Sequence, residues 1–270
     1  MVAAKAGRRV RIVSMALNVP GPVAVARMVA EGAEVIKIEP PWGDPLATLC
    51  PPWYDELHAR VRVERVDLKS ADGLAVLRVL LHDADVFLTS HRPSALARLH
   101  LDAATLRAAL PSLGHVNIVG DTAKPEEPGH DLTYQARAGL LRGAMPSTLV
   151  ADMVGAERAH AALKEIARTR GTVIIGLYDA LRDLAAPLHH GLTEVGGYLG
   201  GSNPAYGIYR ARDGAVAVAA LEPHFRSRLY EELGLPDGAD LSVAFATRTA
   251  FEWERWAEAR DLPLVALKET

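Results

Sequence analysis

The sequence predicts an α/β protein, with a large parallel-sheet domain followed by a smaller α+β domain, and three observations carry that reading. From residue 10 to residue 119, short apolar runs alternate with longer segments of helical period, the signature of β-α-β units around a parallel sheet. Between Pro187 and Asn203 the composition shifts to Gly, His and Pro, which marks a linker. Beyond it, two alternating segments flank Arg212-Asp213-Gly214, which supplies the turn of a hairpin. The boundary is placed so that residues 1–186 form the large domain and residues 187–270 the linker and small domain.

Taken in order, residues 10–15 read as the first strand. Residues 22–30 form a helix with Pro22 in its first turn and Gly32 past its end, and residues 34–38 make the second strand. A Pro- and Trp-rich loop spans residues 40–54. A strand then runs into Val66-Asp67-Leu68, followed by a helix over 71–81 and a strand over 85–88. Residues 102–110 form a helix capped by Asp102, and residues 113–119 a closing apolar run before the polar break at 121–129. Together these elements nearly complete a doubly wound, Rossmann-like core. Helical spacing returns over 132–141 and 153–168, with Asp152 in N-cap position for the second helix. Residues 171–184 begin as a β-branched run and turn helical. In the small domain, residues 206–220 form the hairpin, and residues 223–233 and 249–260 are helices.

Composition narrows the function classes. A chain of 270 residues buries about three quarters of its unfolded surface and needs no disulfide or metal staple. Hydrophobic residues at 49% and charged residues at 23% exclude disorder. Thirty Lys and Arg against 33 Asp and Glu leave a net charge of −3, without the basic footprint of a general nucleic-acid binder. The single cysteine, Cys50, cannot form an internal disulfide, the basic start lacks a signal-peptide core, and no apolar run approaches the roughly 20 residues of a membrane span. The expectation is a soluble, cytoplasmic protein with neither nucleic acid nor membrane as partner.

Candidate functional residues are scattered. Gly21-Pro22 opens a helix after a strand, where an anion could sit, yet neither G-x-G-x-x-G nor G-x-x-x-x-G-K-[ST] is present. His189 and His190 are adjacent and lack further ligands at metal spacing, so no metal is expected. Arg60, Arg62, Arg65 and Lys69 read as a solvated face or a phosphate site. Three acid-base candidates remain: His130 with Asp131, Asp152, and Glu222. Read singly, they are a loop histidine, an N-cap and a first-turn carboxylate.

Read together, they belong to a pattern. Gly21-Pro22, the Gly32 to Pro41 segment with Gly43-Asp44, Val66 to Ser70, Ala84-Asp85-Val86 with Arg92-Pro93, Gly129 to Leu132, Ala151-Asp152, and Tyr209-Arg210 with Asp213-Gly214 leading to Ala220 to Phe225 follow one another in order. In this the chain resembles the family III CoA-transferase (CaiB/BaiF) group, and within it the α-methylacyl-CoA racemase branch. The resemblance implies that His130 and Asp152 are two bases flanking the α-carbon of a 2-methylacyl-CoA thioester, with Glu222 beside His130. Inversion then proceeds by 1,1-proton transfer, with backbone N–H groups at a helix start stabilising the enolate. In the transferases of the group, the aspartate matching Asp152 is instead a nucleophile that passes through an aspartyl-CoA thioester. A third alternative is a degenerate CoA-binding paralogue without turnover. For the CoA moiety the resemblance points to Val19, Val66, Lys69, Arg92 and Arg98, with no cofactor beyond that moiety. It implies a homodimer, and because relatives continue beyond the region of Pro263 and close an interlocked ring, it implies an open or differently associated one here.

Overall fold

The structure, a computed structural model, describes residues 8–267. The chain divides into two units between Ala185 and Ala186. In the first, six parallel strands lie in the order β3-β2-β1-β4-β5-β6, with β1 Arg11–Ser14, β2 Glu34–Glu39, β3 Arg62–Arg65, β4 Val86–Thr89, β5 Gly114–Val119 and β6 Thr172–Gly176. This is the doubly wound order anticipated from the alternation of strand and helix. The order reverses between β1 and β4, and loops leaving the carboxyl ends of those two strands bound the crevice where such sheets bind ligands. There Leu17 N–H donates to Ser90 Oγ at 3.2 Å.

Both sheet faces are covered. Ile12, Val86, Leu88, Val116 and Ile118 pack on one side with Leu163 and Ile166 of the long helix Val150–Thr169. Val13, Phe87 and Leu113 pack on the other with Leu77, Leu81, Leu96 and Leu106. The period-2 alternation within each strand assigns side chains to the two layers. Two polar residues of β5 are buried with the second layer. Thr89 Oγ1 donates to Asn117 Oδ1 at 2.7 Å and lies 3.2 Å from His115 Nε2.

Several sequence-based boundaries are corrected. Where a loop is expected over 40–54, the chain forms the helix Leu46–Leu49 and a second, Pro51–His58, that runs past the loop's end; Pro51 and Pro52 occupy first-turn positions of the second, where a missing N–H and a fixed φ favour the helix. β3 ends at Arg65, and Val66 lies past it while its N–H still donates to Glu39 O at 2.8 Å. The helix expected over 132–141 is Asp131–Arg137, ended where Gly139 takes a φ of 76° and Leu140 N–H turns back to Gln135 O at 3.0 Å. Asp152 is not an N-cap. Its helix begins at Val150 after Leu149, which places Asp152 inside the first turn.

The second unit is a three-stranded antiparallel sheet in the order β7-β8-β9, with β7 Tyr206–Arg210, β8 Ala215–Ala219 and β9 Leu264–Ala266. Its core gathers Val216, Val218, Tyr230, Phe245, Trp253 and Trp256, with the Trp253 indole N–H donating to Phe245 O at 2.8 Å. The helices Pro223–Leu233 and Ala250–Glu258 match expectation, the second fixed by a Thr249/Glu252 capping box. β9, only three residues long, offers too few positions for its period to be visible in the sequence.

Candidate active site

The carboxyl ends of β1, β3, β4 and β5 open onto one edge of the sheet, and the segments that follow them, loops and the starts or short runs of the next helices, carry every site residue that the sequence placed in the first unit. His130 ends the loop after β5 and is the N-cap of Asp131–Arg137. The residue is exposed, and its backbone N–H donates to Thr133 Oγ1 at 3.1 Å. The next residue, Asp131, is buried and binds the start of the long helix. Asp131 Oδ1 accepts from Ala151 N–H at 2.7 Å and Asp152 N–H at 3.2 Å, and Oδ2 accepts from Gln135 Nε2 at 2.6 Å. Gln135 also donates to Thr148 O at 3.2 Å, so one carboxylate and one amide fasten the segment carrying His130 to the turn carrying Asp152.

This arrangement sets the chemistry of Asp152. Its side chain is half-buried, and burial first, then the negative charge of Asp131, push its pKa from 3.8 up to about 7. The capping anion is thus a second carboxylate, the inverse of the usual cation-assisted aspartate. The sequence-based expectation that backbone N–H groups at this helix start would serve an enolate is corrected for two of them, since Ala151 and Asp152 N–H already serve Asp131.

Tyr134, one turn beyond His130, is buried, and its own pKa is raised by burial and then by the Asp152 charge. Its ring is clasped by two glycines: a Cβ on Gly120 would lie 2.1 Å from the hydroxyl, and one on Gly129 2.5 Å from the hydroxyl and 2.6 Å from ring carbons. The sequence offers Asp131 only as an acid-base candidate beside His130, and Tyr134 not at all. The available signal was the Asp131/Gln135 spacing of four on one helix face.

Among the proposed CoA contacts, Val19 is buried at the N-cap of the helix Pro20–Ala30 and packs with Val23, Leu46, Leu57 and Ala156, the last on the Asp152 helix. Val66 is half-buried. Lys69 is exposed, its Nζ 5.9 Å from the ring centroid of the equally exposed Trp42. Arg92 and Arg98 are exposed at the two ends of the helix Pro93–Arg98, and both contribute to keeping the Glu126 carboxyl low, after the hydrogen bonds from Ser94. Glu222 lies in the second unit as the N-cap of Pro223–Leu233, without a side-chain capping bond. As for metal sites, the one cluster of suitable ligands among the described residues, Glu39, Asp44 and His58, already surrounds the Lys37 ammonium.

The sequence pattern of CoA-transferase family III matches residues 8–262, nearly the whole chain. The chain belongs to this family. It is 28% identical over 301 aligned residues to the alpha subunit of succinyl-CoA–L-malate CoA-transferase from Chloroflexus aurantiacus, covering 96% of this chain and 62% of that protein. It is 34% identical over 161 residues to cinnamoyl-CoA:phenyllactate CoA-transferase from Clostridium sporogenes, covering 52% of this chain and 39% of that one. Against human alpha-methylacyl-CoA racemase it is 29% identical over 263 residues, covering 84% of this chain and 64% of the enzyme. The chain therefore spans less than two thirds of the length of these family III relatives. In fold it matches the crystal structure of a hypothetical protein from Mycobacterium tuberculosis, with a TM-score of 0.82 at 24% identity over 97% of this chain and 83% of that one. A CaiB/BaiF family protein from Brucella suis matches with a TM-score of 0.77 at 22% identity, over 96% of this chain and 83% of that one. No helix among the described residues is long and apolar enough to cross a membrane.

Proposed function

We propose that the chain inverts the α-carbon of a 2-methylacyl-CoA thioester by two-base 1,1-proton transfer. The observation that carries this reading is the hydrogen bonding of Asp131, next to His130, to the helix start that bears Asp152, in surroundings where burial and then the Asp131 charge raise the Asp152 pKa to about 7. A group poised there gives up and takes up a proton with nearly equal ease, as a racemase requires of both bases. One base takes the α-hydrogen as a proton, the C–H electron pair passes into the thioester enolate, and the opposite group returns a proton to the other face. His130 serves as the partner of Asp152 because Asp131 ties their segments together. Glu222 is assigned to tune His130 on the family resemblance alone. Val19, Val66, Lys69, Arg92 and Arg98 hold the CoA moiety of the substrate, with no further cofactor, and the active form is a homodimer.

The second reading is CoA transfer between carboxylates, favoured by the transferases among the relatives. There Asp152 attacks the acyl-CoA carbonyl to form a mixed anhydride and release CoA thiolate, which then attacks the aspartyl carbonyl of the anhydride, giving the aspartyl thioester and expelling the donor carboxylate. Proton NMR of a 2-methylacyl-CoA in D₂O separates the two. Exchange of the α-hydrogen by the native protein, abolished by Asp152→Ala and by His130→Ala, supports inversion. Transfer that survives His130→Ala but not Asp152→Ala, without α-exchange, establishes the transferase reading. Full α-exchange by the Asp152→Ala protein eliminates the two-base scheme.

A further inference from the structure

Lys37 stands in the middle of β2 with its side chain 1% exposed, and its ammonium fills a cage of carboxylates and imidazole. Nζ lies 3.1 Å from Glu39 Oε1 and 2.9 Å from His58 Nε2, and it bonds Asp44 Oδ2 directly. The ligand atoms of Glu39, Asp44 and His58 fall within 4.8 Å of one another, as they would around a divalent cation, but the ammonium is the cation here. The cage is itself held: Tyr54 OH donates to Glu39 Oε1 at 2.7 Å, Asp44 N–H donates to Glu39 Oε2 at 3.2 Å, His58 Nδ1 lies 2.6 Å from Tyr54 O, and the Tyr54 ring stacks on His58 at 4.1 Å.

Removing such charges from water is costly, and an apolar cluster of equal volume often stabilises a fold as well or better. What an apolar cluster cannot do is hold a backbone turn by its N–H groups. Asp44 does this. Its two oxygens accept from Asn18 N–H at 3.1 and 3.2 Å, and Oδ1 also accepts from Leu46 N–H at 2.9 Å. Asn18 is one of the non-glycine residues at positive φ, 66°, a region that asparagine tolerates better than other side chains. Its carboxamide makes no hydrogen bond among the described residues. The turn it forms leads from β1 into Val19, which packs with Met153 and Ala156 on the helix bearing Asp152.

We propose that Lys37 and Asp44 are positioning residues for acyl-CoA: the buried ammonium fixes the Asp44 carboxylate, which pins the Asn18-Val19 turn in its left-handed form at the rim where the thioester binds. This rests on the CoA reading above. The pin itself is testable without ligand. In Asp44→Asn the Asn18 amide loses its charged acceptor, so its hydrogen exchange, followed by NMR, should accelerate about a hundredfold or more, while amides of β4 and β5 keep their protection. Unchanged protection of Asn18 overturns the pin.

Its consequence is read by calorimetry with CoA and by steady-state kinetics with a 2-methylacyl-CoA. Asp44→Asn should weaken CoA binding about tenfold or more and raise KM by more than it lowers kcat. Asp85→Asn is the control for lost stability alone. Asp85 is a buried carboxylate at the opposite edge of the sheet, bonded to Arg8 and Arg170, and its loss should lower Tm and leave CoA affinity intact. If Asp44→Asn does not fold, Asn18 variants decide the matter. Asn18→Ala strains the turn and should weaken CoA binding about tenfold, whereas Asn18→Gly adopts positive φ freely and should stay within about threefold of the native protein. Equal loss in both variants, or loss in neither, overturns the positioning role. Absence of CoA binding by the native protein defeats the CoA reading and this inference with it, whereas native binding with indifferent variants defeats this inference alone.

Discussion

Asp131 accepts the backbone N–H of Asp152 at 3.2 Å, so the carboxylate that ties down the helix start is also the negative charge that opposes ionisation of the Asp152 side chain. Replacing it separates the two effects. Asp131→Ala should lower the Asp152 pKa from about 7, shift the corresponding limb of the pH–rate profile to lower pH, and cost about 1–3 kcal/mol of stability as Ala151 and Asp152 lose their acceptor. A ¹³C titration of the Asp152 carboxyl together with thermal melts checks both arms. A carboxyl that titrates unchanged in the variant would leave desolvation as the sole cause of the shift.

Asp152 also makes stability depend on pH. Its folded pKa, about 7, lies above the unfolded value of 3.8, so the native state binds the proton more tightly; the stabilisation is complete below pH 3.8 and is lost as pH rises through 7. Asp152→Asn removes that loss. The variant should match the native protein at pH 4 and melt at higher temperature at pH 8, by roughly 2–4 °C for each kcal/mol recovered, while losing activity. Scanning fluorimetry across that range provides the comparison, and coincident melting curves at pH 8 would contradict the raised pKa.

His115 has the opposite sign. Burial in β5, stacked on Phe87 at 5.4 Å, pushes its pKa from 6.5 down to about 4. A neutral imidazole favoured by the fold gives stability that is full above pH 6.5 and is lost as pH falls through 4. His115→Phe should flatten this acid limb. The measurement is urea unfolding at pH 7 and pH 4.5, where the difference in unfolding free energy should be smaller for the variant than for the native protein.

The glycines around Tyr134 make different demands, and a pair of double variants distinguishes them. Gly120→Ala meets chiefly the hydroxyl, at 2.1 Å, whereas Gly129→Ala also meets ring carbons at 2.6 Å. Each should cost about 1–3 kcal/mol by overpacking. Adding Tyr134→Phe should restore much of the stability of Gly120→Ala and little of that of Gly129→Ala, as read from chemical denaturation. Equal rescue of both would mean that the ring shifts as a unit.

The period of the apolar pattern was sufficient for the α/β class, the doubly wound core and the hairpin-containing small unit. A strand or helix must present its apolar side chains to a layer, and that requirement is written locally. Gly43-Asp44, His130, Asp131 and Asp152 were visible as residues, and the order of the surrounding motifs was sufficient to suggest family III. Tertiary structure decided what these residues do to one another. That Asp131, and not Asp152, binds the helix start follows from a hydrogen bond spanning 21 positions, beyond the reach of any local pattern. Likewise, Lys37 reads in sequence as an ordinary charge interrupting a strand. Only the fold brings Glu39, Asp44 and His58 around it, and with them the carboxylate partners that let a surface-type residue lie inside the sheet.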